Sequence, residues 1–172
     1  MYKLGLLPTA LGLLLGAALL APAPATAETG TIEFTVDDQT EPELDLVSMT
    51  TTYGGANMVS TVRVEDLTDE GVFHIGWERH PFNFKVFYVS LRMRDGELKV
   101  HYTQLNDGIR RHPHCDGAAT WDAEQDLIRV RVPQTCWIGR VPRTVKAWAF
   151  SERPGQQPGG DRPHRELLLD RG

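Results

Sequence analysis

The chain has 172 residues, of which 24% are charged and 41% are hydrophobic, and its formal net charge at pH 7 is −5. This length suits one globular domain with an apolar core and leaves too little chain for two domains of ordinary size. Because a mildly acidic protein has no general attraction for polyanions, the charge argues against nucleic acid or an anionic membrane surface as a partner. Arginine pairs such as Arg110-Arg111 have acidic residues near them, so we predict that they lie on solvated strand faces.

The first 27 residues have the pattern of a secretory signal peptide. Lys3 supplies a positive charge, 4–21 is an apolar run, and Ala25-Thr26-Ala27 provides the small residues of a signal peptidase site. A membrane anchor is the alternative, but it needs about 20 continuous apolar residues, and a proline and several glycines interrupt this run. We therefore expect cleavage between Ala27 and Glu28, a secreted protein, and no membrane span in the mature chain.

After the signal peptide, apolar and polar residues alternate with the period of a half-buried β-strand, and no segment of ten or more residues has a helical stripe. Gly54-Gly55 and Asp95-Gly96 are turn signals, and the second is typical of a two-residue hairpin. The predicted strands, in chain order, are 31–36, 44–53, 56–67, 72–78, 84–94, a returning strand with Leu98, Val100 and Tyr102 facing inward, 118–121, 127–132 and 144–151.

About eight or nine short strands separated by turns favour an all-β fold, an antiparallel β-sandwich of the jelly-roll type, over 28–151. The segment 104–117 is predicted to be a loop. The segment 152–163 contains three prolines and three glycines, which predicts a flexible C-terminal tail over 152–172. Within that tail, 166–170 either adds an edge strand or belongs to the tail.

Cys115 and Cys136 are the only two cysteines. Export exposes them to an oxidising compartment, in which disulfides persist. The turn-like residues 122–126 lie midway between them, so a hairpin that turns there brings the two side chains together at its open end. We therefore predict one disulfide. The lack of a C-x-x-C motif argues against a redox or nucleophilic cysteine.

Two groups of side chains have the chemistry of metal ligands. His112 and His114, next to Cys115, are donors that zinc or copper prefers. If the cysteine is in a disulfide, the histidines need partners from elsewhere, which favours a solvated loop. Asp37 and Asp38 offer carboxylates suited to calcium, but the D-x-D-x-D-G pattern is missing. We predict no cofactor, with calcium or zinc as the alternatives.

Five aromatic residues fall within twelve positions: Trp77, Phe82, Phe84, Phe87 and Tyr88. Aromatic residues that alternate along strands ordinarily belong to the core. Sugar-binding sandwiches, however, present planar aromatic rings that stack on pyranose rings. Phe82 lies in a predicted turn and is expected to be the most exposed of the five. Trp77, Phe82 and Tyr88 are therefore the candidate ligand-binding residues.

The sequence has no catalytic signature, and we predict no catalytic residues. Its serines in or beside strands, Ser48, Ser60, Ser90 and Ser151, lie outside any G-x-S-x-G motif. Phosphate-binding glycine loops are missing too, and nothing selects a pair of carboxylates for glycosidase chemistry.

Four short motifs are spread along the mature chain. They are the stretch from Asp38 to Val47 that ends in L-D-L-V, the V-x-V-x-D-L strand at Val62, the V-P-x-x-C segment at Val132, and the V-P-R-x-V-K strand at Val141. Together they resemble a group of small secreted β-sandwich proteins of high-GC Gram-positive, actinobacterial, bacteria with no established activity. The resemblance implies a sandwich distantly similar in architecture to carbohydrate-binding and DOMON-like jelly rolls.

The leading hypothesis is a secreted, non-catalytic β-sandwich protein that binds an extracellular carbohydrate or a protein at the cell surface. One alternative is a metal-dependent or hydrolytic extracellular enzyme, and another is a structural cell-envelope protein without a small ligand. An exposed aromatic strip on one sheet favours the first hypothesis, whereas convergent histidines or carboxylates in a pocket favour the enzyme.

Overall fold

The structure is a computed structural model that describes residues 27–34, 45–81, 84–152 and 167–171. The described strands are β1 (Glu28–Glu33), β2 (Leu46–Gly54), β3 (Asn57–Val64), β4 (Gly71–His80), β5 (Lys85–Arg94), β6 (Glu97–Asn106), β7 (Ile109–Arg111), β8 (Ala118–Asp122), β9 (Leu127–Pro133), β10 (Thr144–Glu152) and β11 (Leu167–Asp170). One 3-10 turn, Gln134–Cys136, follows β9. Most of the predicted signal peptide, together with Asp37, Asp38 and Phe82, lies outside the described residues.

These strands form two antiparallel sheets, which confirms the predicted all-β sandwich. The five-stranded sheet has the order β1-β2-β3-β9-β8, and the six-stranded sheet has the order β11-β10-β4-β5-β6-β7. No helix among the described residues is long and apolar enough to cross a membrane.

The described residues contain more strands than the eight or nine predicted, and one addition lies in the predicted loop 104–117. Strand β6 continues to Asn106, and Asp107-Gly108 turns the chain into β7. The φ angles of these two turn residues are 50° and 79°. Positive φ at both central positions defines the type I′ hairpin turn, so the same signal that predicts the Asp95-Gly96 turn was present here and was missed.

Strand β11 corrects the predicted tail. Of the two alternatives for 166–170, the edge strand is right, because β11 pairs with β10 in antiparallel register. The side chain of Leu169 is 1% exposed and belongs to the core, which gives this short strand an apolar contact that a free tail lacks.

The core lies between the sheets, and strand alternation directs its side chains there. Leu98, Val100 and Tyr102 pack against it from β6, as predicted. The largest fully buried side chains come from both sheets: Tyr53, Met49, Met58 and Ile128 from the five-stranded sheet, and Trp77, Phe73, Phe87, Ile75, Leu91 and Leu169 from the six-stranded sheet.

The predicted disulfide between Cys115 and Cys136 is present, with a Cα–Cα distance of 5.1 Å. The β8–β9 hairpin turns at 123–126, and its register pairs Ala118 with Arg131 at the open end. The two cysteines lie just beyond this end, one before β8 and one after β9. The bridge therefore joins the segment after β7 to the segment after β9.

Candidate functional site

The outer face of the six-stranded sheet carries aromatic side chains where a solvated sheet face ordinarily carries polar ones. The register places Trp148 of β10 opposite Gly76 of β4, which is opposite Tyr88 of β5. In the next row, Phe150 lies opposite His74. The four ring-bearing side chains are half-buried, so part of each remains at the surface. We call Trp148, Phe150, Tyr88 and His74 the aromatic face.

The indole ring of Trp148 lies flat on the backbone of β4. A Cβ atom placed on Gly76 would be 2.2, 2.4 and 2.6 Å from the ring atoms Cζ2, Cε2 and Cη2 of Trp148. The three atoms are consecutive in the ring and nearly equidistant from the Cβ position, which is the geometry of a point above the ring face. A point at the ring edge would lie close to one ring atom and farther from its two neighbours. Gly76 therefore makes room for the flat orientation, since any other residue would carry an atom there.

The neighbouring rings stack against one another, with their faces partly overlapping. The rings of Trp148 and Phe150 have centroids 5.4 Å apart and planes 19° apart, and those of Phe150 and His74 have centroids 4.5 Å apart and planes 18° apart. Tyr88 completes the group, with its ring centroid 6.3 Å from that of Trp148 and 6.2 Å from that of His74. The four rings form one contiguous cluster across β10, β4 and β5.

His74 also joins two polar side chains at the border of the aromatic face. Its Nδ1 lies 2.9 Å from Oγ of Ser90, and its Nε2 lies 3.3 Å from Oε2 of Glu152. The second contact is too poorly directed to satisfy Nε2 as a hydrogen bond, so we treat it as mainly electrostatic. A carboxylate beside Nε2 favours the tautomer with the proton on that nitrogen, which leaves Nδ1 to accept the Ser90 hydroxyl proton.

Burial sets the charge state of His74. The surrounding rings remove water from the imidazole and lower the pKa of His74 below its ordinary value, and the carboxylate of Glu152 offsets this only in part. The ring is therefore neutral at neutral pH and presents an uncharged surface alongside Phe150.

The structure separates the three candidate ligand-binding residues. Trp77 is 0% exposed, its ring packs 6.3 Å from that of Phe87 in the core, and the prediction that it contacts a ligand is wrong. The reason is alternation, since Gly76 and not Trp77 points outward on β4. Tyr88 does lie on the outer face. Phe82 is outside the described residues.

Sequence reasoning missed Trp148, Phe150 and His74. Strand β10 alternates alanine with aromatic residues, and Ala147 and Ala149 face the core at 0% and 1% exposure while the larger rings face outward. This reverses the usual pattern of burial by size. An alternation of alanine and aromatic residues was visible in the sequence, but it does not by itself say which set faces the core.

The histidine pair next to the disulfide gains no further ligands within the described part of the chain. His112 and His114 are exposed, and the disulfide removes the sulfur of Cys115 from metal chemistry. Among the described residues, no three His, Cys, Asp or Glu side chains lie close enough together to hold a metal ion. The carboxylates of Asp37 and Asp38 lie outside those residues.

The outer face of the five-stranded sheet is hydrophilic by comparison. Threonine hydroxyls of β1 and β2 contact one another in two pairs, Thr29 with Thr52 and Thr31 with Thr50, each at 2.9 Å. Exposed arginines of β3 and β9 follow on the same face. The aromatic surface is thus a property of one sheet.

Fold and site together define an antiparallel β-sandwich with one internal disulfide and with aromatic side chains on the outer face of its six-stranded sheet. No family model, no curated protein and no solved structure matches the chain. The resemblance to the actinobacterial group stays a prediction, and function has to be argued from the aromatic face itself.

Proposed function

We propose that the protein is secreted and binds carbohydrate, and that the aromatic face is its binding surface. The flat orientation of the Trp148 ring over Gly76 is the observation that carries this proposal. The face of an aromatic ring is electron-rich and attracts groups with positive edges. One side of a pyranose ring presents such C–H groups, so a flat indole that is partly open to solvent is a stacking surface for a sugar.

Polar groups at the border of the aromatic face support the same ligand class. Ser90 lies opposite His101 of β6 in the register, and His101 is exposed. Glu152 lies beside His74 at the end of β10. A hydroxyl, an imidazole and a carboxylate supply both donors and acceptors for sugar hydroxyl groups. Together with a neutral His74, this arrangement fits an uncharged, hydroxyl-rich ligand laid across the sheet.

Secretion is supported by the sequence and is compatible with the fold. The first 27 residues have the signal-peptide pattern, and β1 begins at Glu28, directly after the predicted cleavage point. The Cys115–Cys136 disulfide fits a protein that matures outside the cytoplasm.

One observation favours hydrolysis as a second candidate function. Ser90, His74 and Glu152 form a series of nucleophile, base and carboxylate, with a tautomer that lets His74 accept the serine proton. Strand β5 pairs on both sides, however, so the backbone N–H groups around Ser90 are used in the sheet and do not form an oxyanion hole. Binding is therefore the better supported function. Labelling of Ser90 by a fluorophosphonate, lost in Ser90→Ala, would favour hydrolysis.

The test of carbohydrate binding is a glycan array followed by calorimetry with the glycans that bind. Trp148→Ala and Phe150→Ala should each weaken binding about fivefold or more, since an aromatic stacking contact contributes on the order of 1 kcal/mol. Phe84→Ala is the matched control, because Phe84 is an exposed aromatic residue outside the aromatic face. Equal affinity in Trp148→Ala and the control would contradict the proposal. An array without any binding would favour a structural protein of the cell envelope.

A further inference from the structure

Three of the four large apolar side chains that are exposed among the described residues lie at one end of the sandwich. They are Phe84, Ile109 and Ile138, with exposed fractions of 65%, 60% and 37%. Phe84 and Ile109 flank the turn between β6 and β7: the backbone N–H of Asp107 donates to the carbonyl oxygen of Phe84 at 2.8 Å, and Ile109 is the first residue of β7.

Ile138 is held at the same end by a buried side chain of β6. The amide of Gln104, which is 0% exposed, donates to the carbonyl oxygen of Ile138 at 3.0 Å and accepts from its N–H at 2.7 Å. In the register, Gln104 pairs with Arg111 of β7. The backbone of the exposed isoleucine is thus held beside β6 by two hydrogen bonds to the buried side-chain amide of Gln104.

Exposed arginines follow two of these apolar side chains in the sequence. Arg110 and Arg111 follow Ile109 directly, and Arg140 lies two residues after Ile138. None of the three forms an ion pair with another described residue. We call the six residues the basic tip: Phe84, Ile109, Ile138, Arg110, Arg111 and Arg140.

The local charge of the basic tip is opposite to that of the whole protein. In the segment 107–111 two arginines accompany one carboxylate, that of Asp107, whereas the chain as a whole has a net charge of −5. Arg110 and Arg111 are exposed on a strand, as predicted. The strand is the three-residue edge strand β7, which begins with the exposed Ile109.

We propose that the basic tip docks on the surface of a lipid bilayer that contains anionic lipids. A soluble polyanion would neutralise the arginines but would leave the phenylalanine and the two isoleucines in water. A bilayer interface accommodates both the charged and the apolar side chains, because the apolar side chains enter the headgroup region and the arginines contact lipid phosphates. This surface is separate from the aromatic face, so the inference does not depend on carbohydrate binding.

The test is co-sedimentation with vesicles of phosphatidylcholine alone or mixed with phosphatidylglycerol. The wild type should bind the mixed vesicles and release as salt rises. The double variant Arg110→Gln/Arg111→Gln should bind them about thirtyfold more weakly, and Ile109→Asn at least tenfold more weakly. The double variant Arg63→Gln/Arg129→Gln removes the same charge from exposed positions of the five-stranded sheet and should bind like the wild type.

Every variant carries the same N-terminal segment, so differences between variants isolate the basic tip. Circular dichroism checks that each one folds, which is expected because the substituted side chains are exposed. The proposal is overturned if the wild type does not bind the mixed vesicles, or if the two double variants lose affinity equally. It is also overturned if Ile109→Asn binds the mixed vesicles as tightly as the wild type, because the apolar side chains then contribute nothing and the surface recognises only negative charge.

Discussion

The substitution Gly76→Ala tests the aromatic face with the smallest possible change. The new Cβ atom would lie 2.2 Å from Cζ2 of Trp148, whereas unstrained carbon atoms stay about 3.5 Å apart. The indole ring must therefore move by on the order of 1 Å or tilt away from β4. The backbone of Gly76 is not in the left-handed region, so alanine itself fits the strand without strain.

We expect Gly76→Ala to weaken glycan binding more than it lowers the stability of the fold. Replacing a strand glycine by alanine stabilises the backbone by about 0.5–1 kcal/mol, which offsets part of the packing that Trp148 loses. If stacking on a flat indole contributes on the order of 1 kcal/mol, tilting the ring should raise the Kd for a glycan about fivefold. The midpoint of thermal unfolding should change by only a few degrees.

Calorimetry gives the Kd, and tryptophan fluorescence reports the changed surroundings of the Trp148 ring. Gly30→Ala is the control, because its Cβ would meet the flexible end of Leu167 at 2.8 Å, away from the aromatic face. The control should keep the affinity of the wild type. If Gly76→Ala binds as tightly as Gly30→Ala and its emission spectrum does not change, the flat-ring argument is refuted.

Three further predictions concern stability. Cys136→Ser opens a loop with a sequence separation of 21 residues and should lower the free energy of unfolding by about 3 kcal/mol, measured by urea denaturation; an unchanged urea midpoint would contradict this. Burial raises the pKa of Tyr53 to about 12, so the unfolded chain loses this proton first, and stability should fall between about pH 10 and 12. Thermal melts of Tyr53→Phe should show a smaller fall in stability between about pH 10 and 12. Burial lowers the pKa of His74, so the unfolded chain takes up this proton first as the pH falls below about 6.5, and stability should drop toward the lowered folded pKa. An equally steep acid loss in melts of His74→Phe would count against this assignment.

Local signals were enough to predict the sandwich and its bridge. Two-residue periodicity predicts strands because alternate side chains of a strand share one face, and it located nine of the described strands. The bounds of the first were wrong, because β1 spans Glu28–Glu33 and 31–36 was predicted. The disulfide followed from a turn midway between the only two cysteines. The short strand β7 was missed because three residues are too few to show periodicity, although Asp107-Gly108 before it is a hairpin turn signal.

The candidate site was less predictable, because alternation does not say which face is buried. Trp77 and Trp148 both lie in alternating strands, yet one is in the core and the other on the surface. The difference depends on their cross-strand neighbours, since Gly76 makes room for the indole of Trp148 only once β4 and β10 are paired. The basic tip could not be predicted for a related reason, since Ile138 comes to the β6–β7 hairpin only through its backbone hydrogen bonds to Gln104.

The most direct test of carbohydrate binding uses the four tryptophans as reporters of position. Trp77 and Trp137 are buried in the core, and the indole N–H of Trp121 donates to the carbonyl oxygen of Thr68, whereas Trp148 lies on the aromatic face. Nitrogen-15 spectra of the labelled protein separate the four indole N–H signals during titration with cellohexaose, xylohexaose and chitohexaose. The account predicts that at least one of these sugars shifts the Trp148 signal and leaves the other three in place. A sugar that shifts Trp121 and not Trp148, or a Trp148 signal that no sugar moves, would contradict it.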